Sequence, residues 1–104
     1  MIIAFTSNEN TADSFISDRF GRANFFAFYD TTTKSFSFEE NSSKNLTQGA
    51  GIKTAENIIS KNPDLLVTSN LGPKAKDIFS STDLKIILIE ENITLKDFIN
   101  TNNY

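Results

Sequence analysis

Cysteine and histidine are both absent from the 104-residue chain. Without cysteine, the chain cannot form disulfides, a catalytic thiolate or the thiolate ligands of iron–sulfur and zinc sites. Without histidine, it lacks the commonest metal ligand and the usual general base near neutral pH. No other group of side chains is typical of catalysis. We therefore expect a protein that is not an enzyme and that has no metal-ligating residues.

An excess of positive charge and a long apolar run are also lacking. Ten Lys and Arg residues stand against thirteen Asp and Glu residues, which gives a formal net charge of −3. This balance argues against nucleic-acid binding, which needs a basic face to neutralise phosphates. No apolar run approaches the roughly 20 residues that span a bilayer, and the run 1–5 is too short for the core of a signal peptide. We expect a cytoplasmic protein without membrane association and, from its length, a single domain over residues 1–104.

Five short segments have the residue content of β-strands. The apolar run Ile2–Thr6 is followed by a polar loop and predicts a buried first strand. A short polar turn separates the aromatic run Phe25–Tyr29 from Ser35–Glu40, which predicts an antiparallel hairpin with most of the aromatic side chains in the core. The last two strands are nearly all apolar, as expected of strands covered on both faces; they are Asp64–Thr68 and Leu84–Ile89.

Three segments with helical spacing alternate with these strands in the second half of the chain. The first begins at Gly49, the second begins at Pro73, and the third has Thr94 as N-cap with Asp97 three residues later. Helices between strands imply right-handed crossovers and parallel strands. The sequence therefore predicts an α/β fold, a ribonuclease H-like three-layer domain. Its five-stranded mixed sheet should have the order 3-2-1-4-5, with strand 2 antiparallel.

Three turns are expected at the sheet edge where the parallel strands end, which is where open α/β sheets bind ligands. The turn 19–24 carries the only two arginines of the chain, and the turns 49–51 and 70–73 open the first and second helices. Arginine holds anions at two points, and helix N-termini offer free amide groups. The sequence thus predicts a cleft for a small anion, with these candidate residues: Arg19, Phe20, Gly21, Arg22, Gly49, Ala50, Gly51, Asn70 and Gly72.

Each of these features also has a purely structural interpretation. Gly49 and Gly51 could serve only a tight loop and close helix packing, and Gly72 before Pro73 is more often a helix-start element than a ligand cradle. The aromatic run 25–29 could be a stacking platform for RNA, but an acidic chain suits a core role better. Two lysines, Lys53 and Lys74, could add positive charge around the cleft.

Three motifs occur in order along the chain. They are Ser17-x-x-Phe20-Gly21-Arg22-Ala23-x-x-Phe26-x-x-Tyr29-Asp30, Gly49-Ala50-Gly51-x-x-x-Ala55 and Gly72-Pro73-x-Ala75. Together they resemble the dinitrogenase iron–molybdenum cofactor biosynthesis family, and the resemblance extends from Met1 to about Ile99. It implies a ribonuclease H-like carrier or scaffold domain, an accessory of nitrogen fixation, which binds the iron–molybdenum cofactor or an iron–sulfur cluster. Such clusters are polyanions, which suits a cleft of arginines and helix N-termini.

The sequence departs from the family pattern where a metal ligand is expected. Family members commonly have histidine before the Phe-Gly-Arg, where this chain has Arg19, and some have cysteine near the Gly-Pro turn, where it has Ser69 and Asn70. A cluster would have to be held through Arg19, Arg22 and backbone amides, or through oxygen ligands such as Asp18. We favour two functions over a third, an enzyme that acts on phosphorylated or nucleotide substrates. The first is a non-catalytic carrier of an anionic cluster or small anion, and the second is a degenerate member that acts on a protein partner as a regulatory or interaction domain without cofactor.

Overall fold

The computed structural model describes residues 1–104 and contains one mixed sheet and three helices. The sheet order is β3-β2-β1-β4-β5, which confirms the predicted order. β1 pairs antiparallel with β2 and parallel with β4, so strand 2 is antiparallel as predicted. The strands are β1 (Ile2–Ser7), β2 (Phe25–Asp30), β3 (Ser35–Glu40), β4 (Leu65–Thr68) and β5 (Lys85–Leu88), and the helices are α1 (Ala50–Ser60), α2 (Pro73–Ser80) and α3 (Leu95–Thr101).

The sheet separates two apolar cores. Successive side chains of a strand point to opposite faces, and in β1 this places Phe5 in one core and Ala4 in the other. Phe5 packs edge-on against Phe98 of α3, with ring centroids 5.6 Å apart. On the opposite face, the buried side chains of α1 and α2 pack over Leu66 of β4. None of the three helices is long and apolar enough to cross a membrane.

The helix starts follow the local sequence closely. Pro73 is the first residue of α2, as predicted, because its fixed φ suits the first turn and its missing amide is not needed there. The Thr94 hydroxyl accepts a hydrogen bond from the Asp97 amide at 3.0 Å, which confirms Thr94 as the N-cap of α3. A 3₁₀ turn at Phe20–Arg22, which was predicted only as an irregular turn, leads into β2.

β5 differs from its prediction as a strand buried on both faces, and that prediction is wrong. Ile87 is 38% exposed and Leu88 is 45% exposed, and Lys85 is exposed as well. The physical reason is its position: β5 is an edge strand with a single neighbour, β4. An apolar run predicts burial correctly for the central strand β4, where all four residues are buried. It does not predict burial for the edge strand β5.

Candidate functional site

A cavity of about 420 Å³ lies between the 3₁₀ turn and the N-termini of α1 and α2. It contains seven of the nine sequence-predicted candidates; Arg22 and Ala50 are not part of its lining. The turns before β2, α1 and α2 thus come together at the carboxyl ends of the parallel strands. The lining residues are Arg19, Phe20, Gly21, Gly49, Gly51, Ile52, Asn70, Gly72, Pro73, Lys74 and Ala75.

The charged groups of this cavity are all positive. Arg19 and Lys74 line it, no acidic residue does, and neither cation is held in an ion pair. Lys53, which was predicted to add charge, lies outside the lining and pairs with Glu56 at 3.6 Å. In a chain with a net charge of −3, the cavity is therefore a local region of positive charge.

Unpaired backbone amides add to this charge. The N-caps of α1 and α2 are Gly49 and Gly72, so neither helix start has a side-chain cap. The first backbone bonds in these helices are those of the Lys53 amide to the Gly49 carbonyl and the Lys76 amide to the Gly72 carbonyl, both at 3.0 Å. Among the residues that line the cavity, Gly51, Ile52, Lys74 and Ala75 have backbone amides without a hydrogen-bond partner.

The glycines of the cavity fall into two kinds. A Cβ on Gly21 would lie 2.8 Å from the amide nitrogen and 2.9 Å from the Cα of Gly51, so the 3₁₀ turn and α1 touch backbone to backbone here. A Cβ on Gly51 or on Gly72 would meet no atom within 4 Å, and neither residue has a positive φ. Gly49 has φ +77, which favours glycine. Gly51 is therefore explained neither by packing nor by backbone conformation, whereas Gly72 is the N-cap of α2, a position that glycine favours.

Phe20 and Arg22 have structural contacts. Phe20 is 2% exposed and packs edge-on against Phe79 of α2, with centroids 5.7 Å apart. The Arg22 guanidinium donates hydrogen bonds to the carbonyl oxygens of Lys44 and Leu46 at 2.6 and 2.7 Å. The structure therefore directs Arg22 to the loop between β3 and α1, and an anion would have to compete with these carbonyls for it.

The segment that carries Arg19 is tied to the loop between β4 and α2. Ser17 is 2% exposed, and its hydroxyl donates to the Arg19 carbonyl at 3.0 Å and accepts from the Arg19 amide at 3.2 Å. The Ser69 hydroxyl donates to the Ser17 carbonyl at 2.6 Å, and the Asn70 side-chain amide donates to the Asp18 carbonyl. These bonds fix the backbone of Arg19 beside the start of α2.

Asn41 is a positioning residue that the sequence did not reveal. It is fully buried, and its side-chain amide donates to the Ala23 carbonyl at 3.0 Å and to the Thr54 hydroxyl at 3.2 Å. Its side-chain oxygen accepts from the Ser43 amide at 3.1 Å. Asn41 thus joins the end of the 3₁₀ turn to α1. Its position in a polar stretch, 41–48, gave no signal to separate it from solvent-exposed loop residues.

The residues present do not fit direct ligation of a metal. The chain has no cysteine and no histidine, and no three of its acidic side chains are grouped so as to hold a metal ion. The cavity wall is mostly apolar, and the groups around it that can act on an anion are two cations and the amides of two helix starts, which bind anions through charge and hydrogen bonds.

A comparison with protein families tests the family resemblance that the three motifs indicate. The family model described as dinitrogenase iron-molybdenum cofactor matches residues 1–101. The chain belongs to this family. Its membership confirms the resemblance seen in the three motifs, and no protein with a curated function matches the sequence.

Two solved structures extend this comparison. The orange protein from Desulfovibrio gigas, in its apo form, is 28% identical and has a TM-score of 0.89 over 98% of this chain and 86% of its own. A NifB-like protein from Thermotoga is 28% identical and has a TM-score of 0.80 over the same shares of the two chains. The dinitrogenase iron-molybdenum cofactor family and these similarities indicate a small domain related to cofactor handling.

Proposed function

We propose that this member of the family is a non-catalytic carrier, which holds a small anion or an anionic metal cluster as cargo in the cavity between α1 and α2. The observation that carries the proposal is the convergence of two helix N-termini without side-chain caps on one cavity that has two cations and no acid. The positive ends of two helix dipoles then act on the same ligand.

The size of the cavity and its open glycines suit this cargo. Its volume of about 420 Å³ lies within the range of roughly 300–1,000 Å³ of small-molecule sites. No side chain of Gly51 or Gly72 fills the space beside the two helix starts, and a Cβ at either position would meet no atom within 4 Å. Arg19 and Lys74 would close around it, since both are exposed and unpaired.

Contacts of this kind are outer-sphere. A metal cluster would have to arrive with its own inner ligands complete, since the chain supplies neither thiolate nor imidazole. The iron–molybdenum cofactor or an iron–sulfur cluster is the cargo that the family suggests, and molybdate is a simpler anion of related chemistry. We also infer a ribonuclease H-like fold, a single domain over residues 1–104 and a cytoplasmic location, from the sheet order and from family membership.

An anaerobic titration tests the proposal. Isolated iron–molybdenum cofactor and, separately, molybdate are titrated into the wild type and into Arg19→Gln and Lys74→Gln, with Lys76→Gln as the matched control from the same helix. We expect saturable binding that weakens as ionic strength rises. Removal of either cavity cation should weaken it about tenfold, and the control should leave it unchanged. Absence of binding of both ligands to the wild type would refute the carrier function.

The alternative, an interaction domain without cofactor, is favoured by one specific observation. Two of the five exposed large apolar residues, Ile87 and Leu88, lie in β5, and Leu88 lines a groove that shares Asn70 with the cavity described above.

A further inference from the structure

The outer edge of β5 is open. β5 pairs only with β4, and the Ile89 amide donates to the Thr68 carbonyl at 2.9 Å. Because the residues of a parallel strand alternate in the direction of their backbone groups, Ile86 and Leu88 direct their amides and carbonyls away from β4. An unpaired strand edge of this kind is a template for another strand.

Apolar side chains surround this edge. Five large apolar residues of the chain are exposed; Ile87 and Leu88 belong to β5, and Phe15 shares a groove with Leu88. Leu88, the last residue of β5, borders two grooves. One groove, of about 670 Å³, also contains Phe15 and Leu71, and the other, of about 460 Å³, also contains Ile93 and Phe98.

Both grooves are negatively charged. Glu90 and Glu91 line both of them, Asp18 lines the first, and Asp97 lines the second. No lysine or arginine lines either groove, and none of these four carboxylates is in an ion pair. The carboxylates are not grouped so as to hold a metal ion.

The other sheet edge is different. In β3, the aromatic residues Phe36 and Phe38 pack against the core of α3, and the serines and glutamates of the strand are exposed. Glu39 forms an ion pair with Lys61 at 3.0 Å. Only β5 combines an open edge with exposed apolar residues; the grooves at its end carry unpaired acidic charge, and Lys85 lies at its opposite end.

We propose that the β5 edge and its two grooves form a docking surface for a basic, extended segment of a protein partner. The segment adds as a strand beside β5, its apolar side chains enter the grooves, and its lysines or arginines face the carboxylates of Glu90 and Glu91. The charge of the grooves disfavours nucleic acid and anionic membranes as occupants, and self-association of this chain is one outcome of the test below.

This surface is independent of the proposed carrier function, although the two sites are adjacent. Asn70 lines both the anion cavity and the larger groove. A partner that fills the larger groove would therefore contact a residue that also lines the cavity.

The test uses the isotope-labelled full chain and defined peptides, followed by amide NMR. The probe is a heptapeptide of alternating lysine and valine; one control has glutamate for lysine, and a second has alternate backbone amides methylated. We expect saturable binding of the probe alone, with shifts confined to Phe15 and the segment 86–92. Glu90→Lys with Glu91→Lys should weaken binding about tenfold, since two exposed charge pairs are lost. Glu40→Lys, on the opposite edge strand, should leave it unchanged.

Four results would overturn the proposal. They are no saturable binding of the lysine–valine peptide, equal binding of the glutamate peptide, equal binding of the methylated peptide, and shifts that map to β3 instead of β5. A dimer of this chain with β5 buried between the copies, seen by light scattering and by protection of the same amides, would assign the surface to self-association and overturn it too.

Discussion

Gly51→Ala separates the ligand role of a glycine from a structural role. Gly51 is the second residue of α1, and a Cβ there meets no atom within 4 Å. Alanine is favoured over glycine within helices by up to about 1 kcal/mol, and near a helix start we expect about 0.5 kcal/mol of added stability. The same methyl group would stand at the cavity wall beside free amides, so we expect anion binding at least about tenfold weaker.

Two companion variants complete this experiment. Gly72→Ala also adds a Cβ in open space at φ −71. It should cost no more than about 0.5 kcal/mol of stability as an N-cap change, and it should also weaken binding. Gly21→Ala would force a Cβ to 2.8 Å from the backbone of Gly51. Since backbone yields poorly, it should destabilise the fold by about 1–3 kcal/mol.

Urea unfolding followed by circular dichroism gives the stabilities, and molybdate titration gives the affinities. The expected pattern is a Gly51→Ala protein that is at least as stable as the wild type and binds poorly. If Gly51→Ala bound molybdate with wild-type affinity, Gly51 would have no ligand role, because the space beside it would then be irrelevant to the ligand. A loss of about 1 kcal/mol or more in that variant would show that the glycine is there for the fold.

Three further variants test the supports of the site. Arg22→Ala should cost about 1 kcal/mol of unfolding free energy, because exposed bonds to two carbonyls are lost, and hydrogen exchange should rise in the loop 41–48; unchanged exchange would contradict this role. Asn41→Ala should cost roughly 2–4 kcal/mol by urea unfolding, since it leaves buried partners unsatisfied, and a loss below about 1 kcal/mol would argue against the network. Thr94→Ala should cost about 1 kcal/mol by loss of the α3 cap with molybdate affinity unchanged, because α3 lies on the opposite face; weaker binding would contradict that separation.

The sequence predicted the order of the sheet because its signals are local and mutually consistent. The hairpin of β2 and β3, the helical spacing after Gly49 and the apolar run of β4 each limit the topology, and the crossover rule supplies the rest. The exposure of β5 was missed because apolar content reports the residues of a strand, whereas exposure depends on its neighbours. The edge position that leaves Leu88 45% exposed is set by the tertiary structure, not by the local sequence.

The candidate site also combines features that the sequence predicted with features that depend on the tertiary structure. The topology brings the turns at Arg19, Gly49 and Gly72 to one cavity, as the sequence predicted from the strand ends. The direction of the Arg22 side chain and the buried contacts of Asn41 could not be predicted, because both depend on how the loop 41–48 folds back on the 3₁₀ turn. Whether this cavity holds an anion stays a prediction.

The most direct test of the carrier function is amide NMR of the wild type during a titration with molybdate. We expect saturable shifts at the amides of Gly51, Ile52, Lys74 and Ala75, with the amides of α3 unchanged. We also expect Lys74→Gln to lower the affinity and Lys76→Gln to leave it unchanged. No saturable shift at these four amides, or shifts that map only to lysines outside the cavity, would contradict the claim that the cavity binds anions.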